Sequence, residues 1–119
     1  MPALKLRIKG LSHRRCIIPA RSFYEWNKSK DKVTFCLDSN EAIYLARIYN
    51  LFNNEDCFTI LTTAANASVS AVHDRMPVVI EQKDIYDWLF NDEKAHNLIN
   101  RDMPMFVSKR DYEQLSLPF

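Results

Sequence analysis

The 119-residue chain contains a single glycine, Gly10. Tight reversals usually rely on glycine, because it enters the left-handed region of backbone space at no steric cost. Here other residues must make the turns. Nine asparagines, several of them beside Asp or Ser, are the natural substitutes. The same scarcity excludes a glycine-rich loop cradling phosphate. The sequence also has no HExxH, no GxSxG and no paired-cysteine zinc pattern.

The remaining composition describes a folded chain. Seven Phe, five Tyr and two Trp are too many for a solvated tail, and the length predicts one domain over residues 1–119. No apolar run approaches the ~18 residues of a membrane span, and the N-terminus lacks a signal-peptide pattern. Three cysteines without a CxxC suit free thiols in a reducing, cytoplasmic setting. His13 and Cys16 have half-site spacing, with Cys36, Cys57 and His73 as remote partners. The default for such thiols is a small buried side chain, so neither metal nor cofactor is expected.

Short β-prone runs separated by turns dominate the pattern. Strands are expected at Cys16–Ile18 (stopped by Pro19), Phe23–Trp26, Val33–Leu37, Ala42–Tyr49, Cys57–Thr63, Val78–Ile80 and Met105–Val107. Asn27–Asp31 and Asp38–Asn40 read as turns. Asn66 or Ser68 can start a short helix, and His73–Pro77 reads as a loop because Pro77 biases Met76 away from helix. Lys83–Leu89, with Ile85, Trp88 and Leu89 on one face, reads as an amphipathic helix, and Glu93–Asn100 as a second. The fold class is therefore mainly β (α+β), an antiparallel domain with two or three short helices.

The net charge of +1 conceals an asymmetry. Residues 1–32 carry nine Lys or Arg against two acids, and residues 33–119 carry seven against thirteen. Such a basic first quarter is the electrostatic signature of a phosphate-bearing partner, although scattered solvated charges give the same count. Two segments concentrate chemistry. Arg14–Trp26 places Glu25 between Tyr24 and Trp26, where poor solvation would raise its pKa and suit it to proton transfer. Strand alternation equally allows the two aromatics to share one face and Glu25 the other. Thr62–Pro77 contains consecutive His73, Asp74 and Arg75, which could form an acid–base site with an anion contact or a structural turn.

Both segments closely resemble the SRAP family (SOS response-associated peptidase, the abasic-site processing proteins). Arg14–Trp26 is similar to the family's RRC-to-YEW stretch, and Ile60–Pro77 to its ILTT…AN…HDRMP stretch. The resemblance runs from about His13 to Phe119. It implies an antiparallel SRAP-like β domain with a positively charged groove for single-stranded or abasic-site DNA. It further implies capture of abasic sites by an N-terminal Cys, whose amine and thiol form a covalent protein–DNA crosslink, and an associated autoproteolytic activity. Catalytic roles then fall on Glu25 and His73, and DNA contacts on Arg14, Arg15, Arg21 and Arg75.

The sequence departs from that pattern at its start. It begins Met1-Pro2-Ala3-Leu4 where the family begins MCGR, and the family's NAR(S/A)ET motif is absent. The chain thus reads as the C-terminal portion of an SRAP domain, binding-competent but catalytically incomplete, with a separately encoded N-terminal half as a candidate partner. Two alternatives stand beside it. One is a lyase using the secondary amine of Pro2, and the other is a non-catalytic remnant or interaction module.

Overall fold

The computed structural model describes residues 14–52 and 55–110, and side chains are described outside residues 50–58. Strands dominate it. β1 (Arg15–Ala20), β2 (Phe23–Trp26), β3 (Lys32–Cys36), β4 (Ile43–Phe52), β5 (Glu55–Ile60), β6 (Thr62–Ala64), β7 (Arg75–Pro77) and β8 (Val79–Ile80) precede two helices. These helices, α1 (Ile85–Phe90) and α2 (Asp92–Leu98), are followed by β9 (Val107–Arg110), and a 3-10 turn at Gln82–Asp84 leads into α1. The mainly β, antiparallel class with short helices is what the sequence predicts. None of the described helices is long and apolar enough to cross a membrane.

β4 organises the first sheet. β1 pairs along one edge in antiparallel register, with Ile18 opposite Leu45, while β5 and β8 share the other edge end to end. The second sheet has the order β2-β3-β9, and β6 pairs with β7 in a third. The sheets enclose a core in which Phe35, Ile43, Met76, Ile80 and Trp88 are wholly buried. Phe23 stacks on Phe35 and meets the edge of Phe106, tying β2 to β3 and to the segment entering β9.

A closed ring of backbone hydrogen bonds joins the first and third sheets. Ala46 N–H donates to Val78 O at 2.9 Å, Val78 N–H to Leu61 O at 2.8 Å, and Leu61 N–H to Ala46 O at 3.0 Å. All three residues are buried, so these groups need protein partners. The ring lies where β5 becomes β6 and β7 becomes β8. Hence the expected single strand Cys57–Thr63 divides at Leu61. The expected loop His73–Pro77 contains a strand, for Arg75–Pro77 pairs with Thr62–Ala64. Proline suits a short edge strand, where its missing N–H costs no ladder bond. The same rule explains why Pro19 lies within β1 rather than ending it.

Two turns show how the glycine shortage is met. Among the described residues Lys30 (φ 66°) and Asn40 (φ 60°) have left-handed backbones. Asparagine at position 40 was expected. Lys30 was not, and its turn is held by Asn27, whose side chain accepts from Asp31 N–H at 2.9 Å and whose carbonyl accepts from Lys30 N–H at 2.9 Å. The expected strand at Met105–Val107 begins instead at Val107, and Phe106 is an apolar anchor ahead of it.

Arg15 lies inside the domain. Predicted to contact DNA, it is only 7% exposed. Its Nε donates to Trp88 O, its Nη2 donates to Leu89 O at 3.4 Å, and the same Nη2 lies 3.1 Å from an Asp92 carboxylate oxygen. The guanidinium thus closes the carbonyl end of α1 and pairs with the first residue of α2. In return Trp88 Nε1 donates to Cys16 O at 2.9 Å. A charge buried and spent on fixing helices to a sheet is unavailable to a phosphate.

Replacing Arg15 with Ala is expected to cost about 2–3 kcal/mol in urea unfolding, since it strands helix carbonyls in the interior. Asp92→Asn should cost less than about 1 kcal/mol, because the carboxylate is half exposed. The amides of Ala46, Leu61 and Val78 should be among the slowest to exchange with deuterium, opening only with global unfolding.

Candidate active site

Glu25 sits on β2, where period-2 alternation puts Phe23 and Glu25 on the inner face and Tyr24 and Trp26 on the outer one. Tyr24 and Trp26 are 51% and 52% exposed and meet edge to face at 5.1 Å. The aromatics therefore do not enclose the carboxylate. Glu25 is partly withdrawn from water because it lies at the end of the core-facing row.

His73 reaches the same place from a different element. Asn66 begins a compact turn in which Ser70 and His73 N–H groups donate to Asn66 O and Val69 O at 2.9 and 3.1 Å. The helix expected here is thus only a pair of helical turns. The Asn66 side chain is fully engaged. Its Oδ1 accepts from Ser68 N–H at 3.0 Å and from the Ser68 hydroxyl at 2.6 Å. Its Nδ2 donates to Met103 O at 3.1 Å and Pro104 O at 2.9 Å. Ser68 Oγ then accepts from Phe106 N–H at 3.0 Å. One carboxamide both starts the turn and fastens it to the segment that leads into β9.

The result is a close approach of the two predicted residues. His73 Nε2 lies 3.9 Å from Glu25 Oε1, too far for a direct hydrogen bond yet close enough for both to address one substrate group. Arg75 N–H donates to His73 Nδ1 at 3.1 Å. In the neutral ring this bond makes Nδ1 the acceptor and leaves the proton on Nε2, facing Glu25. In the protonated ring Nδ1–H has acceptors at Arg75 O and Asp74 Oδ1, 3.3 and 3.5 Å away. Either protonation state therefore has partners, as a proton-transferring group requires.

His73 and Asp74 line an open cleft of about 680 Å³. Its walls are the turn residues Ser70–Val72 on one side and Trp26–Ser29, from the end of β2 and the turn after it, on the other. The four predicted arginines are dispersed. Arg75 donates from Nε and Nη2 to Thr62 Oγ1 at 3.4 and 3.2 Å, beside His73 in sequence. Arg21 donates to Asn40 O at 3.3 Å, Arg14 is exposed at the start of β1, and Arg15 is buried. None of the four is among the described residues lining the cleft.

No group of three potential metal ligands occurs among the described residues. His13 and the side chain of Cys57 lie outside them, so of the His13/Cys16 spacing only Cys16 is described. Burial pushes the Cys16 thiol above its ordinary pKa, and the Arg47 charge partly offsets this.

Residues 8–115 match the family model for SRAP, SOS response associated peptidase. The chain belongs to the SRAP family. Among similar proteins, the abasic site processing protein YoqW of Bacillus subtilis (strain 168) is 37% identical over 90 residues. YoaM of the same organism, which bears the same description, is 35% identical over 90 residues. Each alignment covers 68% of this chain and 40% of the relative, so the chain spans about two-fifths of the length of the relatives it matches. Crystal structures of proteins from Bordetella bronchiseptica and Bacteroides thetaiotaomicron share the fold, with TM-scores of 0.73 and 0.69 at 20% identity. They align over 85% and 86% of this chain and over 56% and 51% of their own lengths.

Sequence reasoning named Glu25 and His73 as candidates but saw Asn66 only as a helix start. Its clamp on residues 103–104 spans nearly forty positions and leaves no local signature beyond the Asn-x-Ser spacing. Asn66→Ala would strand two carbonyls. It should lower stability by about 2 kcal/mol and broaden the His73 ring resonances in NMR spectra, whereas Ser70→Ala should leave both nearly unchanged.

Proposed function

We propose that this chain supplies the DNA-binding and proton-transfer portion of an abasic-site processing protein. The observation that carries this reading is the 3.9 Å approach of Glu25 and His73 beside an open cleft, in a chain of the SRAP family. Relatives described as abasic site processing proteins support the substrate. An abasic site has no base to read. A protein acting on it must hold the phosphodiester backbone and move protons at the exposed sugar carbon.

Single-stranded DNA suits the geometry. The cleft is open and bordered by the half-exposed Trp26, a surface on which an unpaired base can stack. Arg75, positioned by Thr62, holds a phosphate next to His73, and Arg14 and Arg21 add attraction at longer range. In this scheme His73 Nε2–H gives its proton to the ring oxygen O4′ as the C1′–O4′ bond breaks, the C1′ hydroxyl loses its proton to water to become the aldehyde, and Glu25 accepts a proton from the attacking group. The stable crosslink requires an amine and a thiol on one residue. An N-terminal SRAP segment beginning with Cys would provide them. A cytoplasmic location follows from the proposed work on DNA.

The test mixes this chain with a Cys-initiated N-terminal segment of a SRAP relative and with single-stranded DNA bearing one abasic site. A heat-stable adduct is expected. Glu25→Gln and His73→Ala should each slow adduct formation by about 10²-fold or more while changing DNA affinity less than about threefold. Equal losses of rate and affinity would show that the pair merely shapes the binding surface. Failure to bind single-stranded DNA would overturn the reading.

A further inference from the structure

The cleft contains a third group that the proton-transfer pair does not account for. Lys28 lines it from the turn between β2 and β3, facing the wall that carries His73. It is the one primary amine among the described lining residues. The turn is held at both ends, by Asn27 N–H donating to Asp31 O at 3.0 Å and by Asn27 Oδ1 accepting from Asp31 N–H. Lys28 has no ion pair among the described residues. Lys30 and Lys109 have none either, but they do not line the cleft, whereas Lys32 lies over the Tyr24 ring at 4.6 Å, Lys83 pairs with Glu81 and Lys94 with Asp87. An uncommitted amine and an imidazole lining one cleft, with the Glu25 carboxylate 3.9 Å from that imidazole, are the elements of Schiff-base chemistry.

We infer that Lys28 is an amine nucleophile for the aldehyde of a ring-opened abasic site, giving this chain a lyase activity that needs no N-terminal cysteine. The inference rests on the abasic-site reading above. Lys28 loses a proton to a base of the pair, and its Nζ lone pair forms a bond to C1′ of the aldehyde. His73, protonated, gives a proton to the resulting hydroxyl, which departs as water and leaves a protonated imine. A base of the pair then removes a proton from C2′, and the electrons move into the C1′–C2′ bond as the imine becomes an enamine. Those electrons expel the 3′-phosphate with the C3′–O bonding pair, which breaks the strand. Water hydrolyses the remaining imine to an unsaturated aldehyde and returns the lysine. Water is lost once and gained once, and no oxidant or reductant is required.

A lysine placed only to hold a phosphate would sit in the same position, and Lys28→Arg separates the roles. Arginine keeps the charge and the phosphate contact but cannot deprotonate to attack carbon. The full chain is incubated with end-labelled single-stranded DNA carrying one abasic site, with and without sodium borohydride, which reduces an imine to a permanent amine link. Binding is measured separately on an oligonucleotide with a tetrahydrofuran site, which has no aldehyde. The expected result is a borohydride-dependent adduct that peptide mass spectrometry places on Lys28, with strand cleavage when borohydride is omitted. Lys28→Arg should reduce adduct and cleavage at least about tenfold with tetrahydrofuran-site binding within about twofold, and Lys30→Arg should retain both activities. Binding of the tetrahydrofuran oligonucleotide without an adduct, or an adduct on Pro2 or another lysine, overturns the role of Lys28 alone. No binding overturns the abasic-site reading and this inference with it.

Discussion

Three backbone amides hold the architecture at its most demanding point. Ala46, Leu61 and Val78 each give and receive one hydrogen bond within a closed ring, in an interior that leaves no solvent partner. Through this ring β4 is coupled to the crossing from β5 to β6 and to that from β7 to β8. The short β6–β7 pair could not be stable as an isolated ribbon. Anchored there, it presents Arg75 at one end and directs the preceding residue, Asp74, and then His73 toward β2.

Side chains complete what the ring begins. Asn66 links its own turn to residues 103–104 with two hydrogen bonds and holds Ser68 with two more, and Ser68 extends the link to Phe106. Phe106 in turn packs on Phe23, two residues from Glu25 and on the same face of β2. A continuous path of contacts therefore runs from the His73 turn to the Glu25 strand by way of the chain near its far end. Displacing either end by an ångström would change the separation of two groups that already stand beyond direct hydrogen-bonding distance. Arg15 and Trp88 fasten the helices to β1 and are not among the described residues that line the cleft.

The arginines illustrate how little a charge count says about surroundings. All four predicted contacts lie in or beside recognisable motifs, yet their surroundings differ completely. Arg15 is an internal strut, Arg21 braces a turn carbonyl, and Arg75 is oriented by a threonine hydroxyl. Lys28, which stood out only as part of the basic first quarter, is the one Lys or Arg among the described residues that line the cleft. Composition reports how much charge exists, but whether a guanidinium meets a helix carbonyl or solvent depends on elements more than seventy residues away.

Much was legible before any coordinates. Alternating apolar residues announced the strands, the Ile85, Trp88 and Leu89 spacing announced α1, and two motifs singled out Glu25 and His73. These are local properties, set by backbone preference and by which positions share a face. The sequence left open on which side of β2 Glu25 would lie, whether His73–Pro77 was loop or strand, and which cation would face the cleft. Each depends on long-range contacts: the inward row shared with Phe23, the pairing of Arg75 with Ala64, and the burial of Arg15 beneath α1. Motifs can specify the groups that perform chemistry. Only tertiary packing sets the distance between them, because that distance is fixed by residues that carry no chemistry of their own.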